Sequence, residues 1–342
     1  MLFCDRMFSL TEGTVWSVIG HEWAVELLSR SLASGRLGHA YLLTGPAHIG
    51  KTTLAKELAQ ALNCRPADGA TRPCGRCRNC RLAQADKHPD IQLVEPVQGH
   101  IRIDVLRAWQ NTAALSPVEG QHRVFVLSRI DMATPAAANC LLKMLEEPPG
   151  CARFVLTADR IEAVLPTIVS RCQVLNLRPL PAAQVVHTLA ERGVDLTRAR
   201  LLGHLSQGRI GWALTAAADT QFVQQRERIL DKVIELSTAT YGERFVYAEQ
   251  LSKKPEQVPQ VLEIFASWWH DLLTLTAGSG VPICNIDRRT QLESWAARLS
   301  VATVVTMLRS IHRTAWLLEN NVNLRLALEV LMLDMPLLAK SA

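Results

Sequence analysis

The first half of the chain alternates short apolar runs with stretches of helical periodicity. Several runs of four or five residues are rich in Val, Leu, Ile and Phe, with polar residues, Gly or Pro around them. Apolar runs of this length predict strands buried on both faces, and helical connections between them predict parallel neighbours. The predicted strands are Tyr41–Thr44, Ile91–Val94, Arg123–Leu127, Phe154–Thr157 and Gln173–Leu177. We therefore expect an α/β fold whose parallel sheet is covered by helices on both faces.

The pattern becomes helical after Pro179 and Pro181. A short helical block begins at Pro181 and is interrupted at Gly208, and beyond residue 221 apolar residues recur at helical spacing. Predicted helices in this last part are Val223–Ser237, Gly242–Leu251, Gln257–Leu275, Arg288–Leu299, Val301–Glu319 and Arg325–Leu333. The pattern predicts three domains: an α/β domain at 1–177, a small helical domain at 178–220 and an all-α domain at 221–342.

A phosphate-binding loop follows the first predicted strand. Residues 45–53 read GPAHIGKTT, which fits G-x-x-x-x-G-K-[ST], and a helical stretch comes directly after it. Glycines let backbone N–H groups turn towards phosphate oxygens, and the helix N-terminus adds positive potential. We expect Lys51 to reach the outer phosphates and the Thr52 hydroxyl to contact Mg²⁺; the alternative is a loop that kept its shape without binding nucleotide. The loop residues predicted to hold nucleotide are Gly45, His48, Ile49, Gly50, Lys51, Thr52 and Thr53.

The strand expected to serve the metal ion lacks its acids. In nucleotide hydrolases of this class an apolar strand ends in Asp, often followed by Glu; the first helps to hold Mg²⁺ and the second orients water. Here Ser128 and Arg129 follow the run Arg123–Leu127. An arginine stays protonated and cannot act as a base. Asp131 lies two positions further on, and we expect a turn or helix-cap residue there rather than a displaced metal ligand.

Four of the nine cysteines fall within seventeen residues, with the spacing C-x9-C-x2-C-x2-C. Thiolates at this spacing can surround one tetrahedral Zn²⁺ ion, whereas a redox C-x-x-C pair would explain only two of them. The set contains no histidine or carboxylate and no open position, so we predict a structural zinc site in an insert at 64–80. Its ligands are Cys64, Cys74, Cys77 and Cys80.

Composition and charge add few constraints on the fold or the function. The chain has 342 residues, 48% of them hydrophobic, and a formal charge of +5, which permits contact with nucleic acid without requiring it. The sequence contains no run of about eighteen apolar residues, so it predicts no membrane span. The N-terminal segment, in which Met7 is a second candidate start, lacks the apolar core of a signal peptide. We therefore expect a cytoplasmic protein with reduced thiols.

Several motifs together resemble the bacterial clamp-loader branch of the AAA+ proteins, over nearly the whole chain. They are VIGH at 18–21, NCLLKMLEEPP at 139–149, SRC at 170–172 and NVNLRLALE at 321–329. The cysteine insert is also shared by clamp-loader subunits of this branch. The resemblance implies that Val18 and Ile19 pack against the adenine of a bound nucleotide. It also implies that 178–220 is a lid and 221–342 a collar for oligomerisation.

Within this branch the chain resembles the delta-prime type rather than the gamma/tau motors. The motors carry Asp-Glu after the second apolar strand and a sensor arginine in the lid. Here Gly211 stands at the sensor position, with Arg209 as an offset substitute, while Thr157 matches the polar residue that ends the fourth strand. The resemblance implies a subunit without ATP hydrolysis of its own. A hydrolysing gamma/tau-type motor, using Asp131 or the acids 146–147, is the alternative.

The resemblance also implies the function and the partners. Arg171 would act as an arginine finger in the ATP site of a neighbouring gamma/tau subunit; alone it would be taken for a surface arginine in an ion pair. The assembly would be a hetero-pentamer that also contains delta and loads a sliding clamp on primed DNA. Whether ATP, ADP with Mg²⁺, or nothing occupies the loop stays open, as does a pure scaffold role.

Overall fold

The chain forms two compact units. The computed structural model describes residues 16–66, 71–97, 99–319 and 322–338, so the candidate start at Met7 lies outside the described residues. The first unit runs up to Leu180 and includes Arg209–Gly211; the second contains Pro181–Gly208 and the chain from Trp212 onward. The division into three domains at residues 177 and 220 stays a prediction.

A five-stranded parallel sheet organises the first unit. Its strands are β1 (Ala40–Thr44), β2 (Ile91–Val94), β3 (Arg123–Leu127), β4 (Ala152–Ala158) and β5 (Gln173–Asn176). They lie in the order β2-β3-β4-β1-β5, and every pair is parallel. The predicted parallel sheet is confirmed. The strand β4 is longer than its apolar run predicted because it pairs with both β3 and β1.

Helices cover both faces of this sheet. Within β1, Tyr41 and Leu43 belong to a core cluster shared with α1 and α2, whereas Leu42 belongs to a cluster shared with α4 and α5. This alternation explains why all five residues of β1 are buried. The helices of the first unit are α1 (Glu22–Ser34), α2 (Lys51–Asn63), α3 (Arg78–Gln84), α4 (Ile103–Ala113), α5 (Pro135–Glu146) and α6 (Pro166–Val169).

The second unit is all-helical. Its helices are α7 (Ala182–Glu191), α8 (Leu196–Leu205), α9 (Ile210–Ala218, which belongs to this unit from Trp212 onward), α10 (Thr220–Thr238), α11 (Tyr241–Ser252), α12 (Val258–Thr276), α13 (Arg289–Ala296), α14 (Val301–Glu319) and α15 (Leu324–Asp334). Trp268 and Trp269 of α12 are fully buried and pack against Trp295. The apolar stripe of α12, formed by Phe265, Trp268, Trp269 and Leu272, is therefore core. No helix in the described ranges combines the length and apolar content that a membrane crossing needs.

A buried arginine ties the end of α10 to the end of α15. The side chain of Arg244 in α11 is fully buried and donates hydrogen bonds to backbone carbonyls on both segments. Burial lowers the pKa of this guanidinium. Its delocalised charge and several donors suit a set of helix-end carbonyls that have no intrahelical partner. The acceptors are Leu236, Ser237, Met332, Met335 and Pro336.

We predict that Arg244→Leu lowers the free energy of unfolding by at least about 3 kcal/mol, because several buried carbonyls lose their donor at once. Denaturant unfolding measures the change. The control is Arg325→Ala, which removes an exposed arginine from α15 and should leave the free energy of unfolding almost unchanged, because water screens its ion pair with Glu329. Equal losses in the two variants would contradict a special role for Arg244.

Candidate functional site

The phosphate-binding loop is formed between β1 and α2. Gly45 and Gly50 have φ angles of 134° and 104°, and α2 begins at Lys51. A Cβ atom on Gly45 would lie 2.3 Å from the carbonyl oxygen of Leu177, so only glycine fits there. His48 also adopts a left-handed φ of 63°. The loop residues named from the sequence thus lie together at the carboxyl edge of the sheet.

Lys51 does not extend freely into this loop. Its ammonium group donates to the carbonyl oxygens of Gly45 and Pro46, at 2.7 and 2.6 Å. It also lies 2.8 Å from Oδ1 of Asp159, and its side chain is only 6% exposed. The three donor hydrogens of the ammonium therefore have three acceptors within the chain.

Asp159 bridges two cations. It follows β4 directly, and its Oδ2 lies 3.2 Å from Nε of Arg129, whereas its Oδ1 is the oxygen near Lys51. The phosphate-binding motif in the sequence did not point to this carboxylate. Because β4 is the parallel neighbour of β1, a polar residue just after β4 falls beside the loop that follows β1. The order of the strands was the information needed to find it.

The position of the missing acid is filled by a hydroxyl. Oγ of Ser128, at the end of β3, lies 3.1 Å from Oγ1 of Thr52. The Thr157 hydroxyl accepts a hydrogen bond from the backbone N–H of Arg129 at 2.9 Å. A Mg²⁺ ion at Thr52 would therefore meet a neutral serine where related hydrolases supply a carboxylate.

Asp131 supports the end of β4. Its Oδ1 accepts a hydrogen bond from the backbone N–H of Asp159 at 3.2 Å. Burial raises the pKa of this carboxyl group, and the neighbouring Asp159 charge acts in the same direction. This contact is the structural role expected of a turn residue, and it joins the turn after β3 to the end of β4.

The segment at 17–21 is fastened beside the loop. The backbone N–H groups of Ser17 and Val18 donate to the buried carboxylate of Glu57 in α2, at 2.8 and 3.2 Å. Nε2 of His21 lies 2.9 Å from the carbonyl oxygen of Ile49. Val18 and Ile19 are half-buried here. This placement beside the loop is compatible with contact to a nucleotide base.

Gly211 meets the backbone of the loop. Its N–H donates to the carbonyl oxygen of His48 at 2.8 Å, and a Cβ atom on Gly211 would lie 2.8 Å from that same oxygen. An arginine at this position would require the backbone to shift. The glycine that stands at the expected position of the sensor arginine therefore packs tightly against the backbone of His48.

The four cysteines of the insert converge on one point. Their Sγ atoms all lie within 4.8 Å of one another, and those of Cys74 and Cys80 are 3.9 Å apart. Four sulfur ligands at about 2.3 Å from a tetrahedral Zn²⁺ ion are about 3.8 Å apart, so the donor set fits this ion. Cys64 and Cys80 are buried, and the eight cysteines in the described part of the chain are free thiols.

Backbone N–H groups point at these sulfurs. The N–H groups of Cys74, Cys77 and Cys80 donate to the Sγ atoms of Cys64, Cys74 and Cys77, at 3.3 to 3.4 Å. Burial alone would raise the pKa of Cys74, but donors from Cys77 and Arg76 lower it to about 6. Burial raises the pKa of Cys64 and of Cys80. A bound cation would offset the cost of deprotonating these two buried thiols.

Arg171 lies at the opposite edge of the sheet from the loop. Gln173 at the start of β5 pairs with Tyr41 of β1, so Arg171, two residues earlier, is level with the start of β1. The loop begins after the other end of that strand, about 20 Å away at ~3.3 Å per residue. Nη2 of Arg171 lies 2.8 Å from Oε1 of Glu146, and its side chain is 35% exposed.

Two family models cover most of the chain. The model for "DNA polymerase III, delta subunit" matches residues 20–181, and that for "DNA polymerase III, delta subunit, C terminal" matches 220–336. DNA polymerase III subunit delta-prime of Bacillus subtilis is 28% identical over 313 residues, which cover 90% of this chain and 94% of the relative. The chain belongs to the delta-prime family of DNA polymerase III clamp-loader subunits.

Gamma/tau subunits match this delta-prime family member over only part of either chain. Subunit gamma/tau of Mycobacterium tuberculosis H37Rv is 40% identical over 166 residues, which cover 48% of this chain and 28% of the relative. Among solved structures, a DNA polymerase III gamma subunit-related protein of Thermotoga maritima has a TM-score of 0.43 at 17% identity, covering 90% of this chain and 97% of that one.

We predict that this delta-prime family member is isolated with about one Zn²⁺ ion per chain, held by the four clustered cysteines. Cys77→Ser and Cys80→Ser should each remove most of the metal and lower the melting temperature, because metal binding and folding of the insert are linked. Metal analysis and thermal unfolding measure both effects. Cys151→Ser, an exposed cysteine outside the cluster, is the control. Equal metal content in all variants would contradict the assignment.

Proposed function

We propose that this chain is the delta-prime-type subunit of a clamp loader, which binds nucleotide weakly, does not hydrolyse it and supplies Arg171 to a neighbouring ATPase subunit. The observation that carries the proposal is the placement of two groups. Ser128 and Arg129 stand at the phosphate-binding loop in place of acids, while Arg171 stands at the other edge of the same sheet.

The loop supports binding better than hydrolysis. Backbone N–H groups of residues 45–50 and the N-terminus of α2 would hold the phosphates, with Lys51 and Thr52 beside them. When bound, Mg²⁺ offsets phosphate charge. No base follows β3 to orient an attacking water, because arginine stays protonated. Asp159 is a poor substitute since Lys51 and Arg129 both hold it.

Arg171 is unable to act on the loop of its own chain. About 20 Å separates the two along β1, and an arginine side chain does not span this distance. As an arginine finger, Arg171 would therefore act in trans. It would enter the ATP site of a gamma/tau-type subunit that docks at this edge of the sheet. The guanidinium would then offset the charge that develops on the transferred phosphoryl group.

In the isolated chain Arg171 is held by local contacts. Glu146 ends α5, and its carboxylate pairs with Nη2, while Nη1 donates to the carbonyl oxygen of Thr167 at 3.0 Å. Both side chains of the pair are partly exposed, which makes its net strength small. A phosphate group of a neighbour's nucleotide carries more charge than Glu146 and would compete for the same guanidinium.

An exposed apolar stripe supports assembly with other subunits. Leu326, Val330 and Leu333 of α15 have 56%, 40% and 50% of their surface exposed, and the spacing puts them on one face of the helix. We call this set the α15 stripe. Exposed apolar patches of this kind mark protein interfaces. We propose that the stripe contacts the gamma/tau or delta subunits, in the hetero-pentamer that places a sliding clamp on primed DNA.

We predict that Arg171→Ala slows hydrolysis at the adjacent motor site by about 10³-fold or more. Arg171→Lys should recover little of it, because an ammonium group lacks the planar fork of the guanidinium. The measurement is the DNA- and clamp-stimulated ATPase of a reconstituted loader whose other motor sites are inactivated.

The matched control is Arg36→Ala, which removes the same charge from an exposed arginine just before β1, at the same edge of the sheet. This variant should keep nearly the full rate. Unchanged hydrolysis with Arg171→Ala would leave only a scaffold role. Robust ATPase activity of the chain alone, abolished by Lys51→Ala, would instead support the motor of gamma/tau type.

We predict that Leu326→Asp and Leu333→Asp each weaken assembly with the partner subunits by at least about tenfold, which corresponds to ~1.4 kcal/mol. The unfolding midpoint of the isolated chain should change little, because both side chains are already exposed. Analytical gel filtration and calorimetry measure assembly. Val281→Asp changes an exposed loop valine and is the control; assembly equally weakened by this variant would count against the stripe.

A further inference from the structure

We propose that Asp159 is an internal competitor of nucleotide: its carboxylate pairs with Lys51, competes with phosphate for that ammonium group and thereby sets how tightly the loop binds phosphate. This inference rests on the proposed function, since it assumes that the loop receives nucleotide. Under this inference, Asp159 helps to determine the affinity of the loop for nucleotide. Asp159 belongs neither to the loop motif nor to β3.

Lys51 is already paired with a carboxylate of its own chain. A phosphate-binding loop attracts nucleotide because its lysine offers a positive charge to the outer phosphates. In this chain the ammonium group of Lys51 lies 2.8 Å from Oδ1 of Asp159, in a pair of which the lysine side chain is 6% exposed and the aspartate 20% exposed. Water screens such a pair only weakly. A nucleotide must therefore separate it before Lys51 can serve a phosphate.

The carboxylate of Asp159 would oppose a bound phosphate after it loses Lys51. Once Lys51 turns to a phosphate, the negative charge of Asp159 stays beside the bound anion. Arg129 limits this repulsion because its Nε lies 3.2 Å from Oδ2 of Asp159, so the carboxylate keeps one cation. The exchange is thus possible, but it costs the ion pair and leaves two like charges close together.

Asp159 is held in place by the backbone around it and by a neighbouring side chain. The backbone N–H of Asp159 donates to the carboxylate of Asp131, and Asp159 follows β4, which pairs on both sides within the sheet. Asp159 is therefore held beside the loop rather than carried on a long flexible segment. A competitor fixed in this way acts at the high effective concentration of an intramolecular partner.

The test is the affinity of the full chain for ADP, measured by calorimetry with and without Mg²⁺. Asp159→Asn keeps the size of the side chain and removes its charge, and we expect binding to tighten about tenfold, or ~1.4 kcal/mol. Lys51→Ala added to this variant should abolish the gain, because the gain acts through that lysine. Thermal unfolding shows whether each variant is folded.

Two controls separate a specific competitor from general electrostatics. Asp131→Asn removes a carboxylate from the same region, while the side-chain oxygen of the asparagine can still accept the N–H of Asp159. Asp86→Asn removes an exposed charge that is paired with Lys56 at 3.1 Å. Both should change the affinity less than about twofold. A gain as large with Asp131→Asn as with Asp159→Asn would overturn the specific role of Asp159.

The remaining outcomes distinguish this inference from the proposed function. Equal and measurable ADP binding by the wild type and Asp159→Asn would overturn the inference alone. Absence of binding in both, at millimolar ADP, would overturn the inference together with the nucleotide-binding part of the proposed function. The role of Arg171 is measured separately, in the reconstituted loader, and none of these outcomes bears on it.

Discussion

The parallel direction of five strands is the constraint on which the rest of the first unit depends. It brings the carboxyl ends of β1, β3 and β4 to one edge, so the phosphate-binding loop, Ser128 and Asp159 meet although long stretches of sequence separate them. Because β5 is parallel to β1, the start of β5 lies at the other edge of the sheet, and Arg171 lies there too. One sheet thus presents a possible nucleotide site at one end and a cationic side chain at the other.

Charge at the loop edge differs from that of a hydrolase. Enzymes of this class place carboxylates where a metal ion and a water molecule must be held. Here a serine hydroxyl contacts Thr52, and the nearby carboxylate of Asp159 is shared by Lys51 and Arg129. An edge of this kind keeps the geometry for phosphate while it loses the groups that activate water. This arrangement supports the proposed role, in which the subunit contributes to catalysis in the site of a neighbour.

Two parts of the chain are ordered by polar contacts as well as by apolar packing. In the insert, four sulfurs and the N–H groups that point at them form a compact donor set. In the helical unit, Arg244 satisfies carbonyls at the ends of α10 and α15, close to a core built on three tryptophans. In both cases backbone groups that would otherwise be unpaired find a partner.

The sequence alone determined the local features: the strand–loop–helix motif, the cysteine spacing, the five apolar strands and the helical second half. Each depends on residues that are neighbours along the chain, whose periodicity and turn chemistry are visible in one dimension. The serine and arginine that replace the acids after β3 were visible for the same reason. The three-dimensional arrangement was needed to show that Asp159 pairs with Lys51, that Glu146 holds Arg171 and that the apolar stripe of α12 is core. These contacts join residues far apart in sequence, and they depend on strand order and helix packing, which no local pattern specifies.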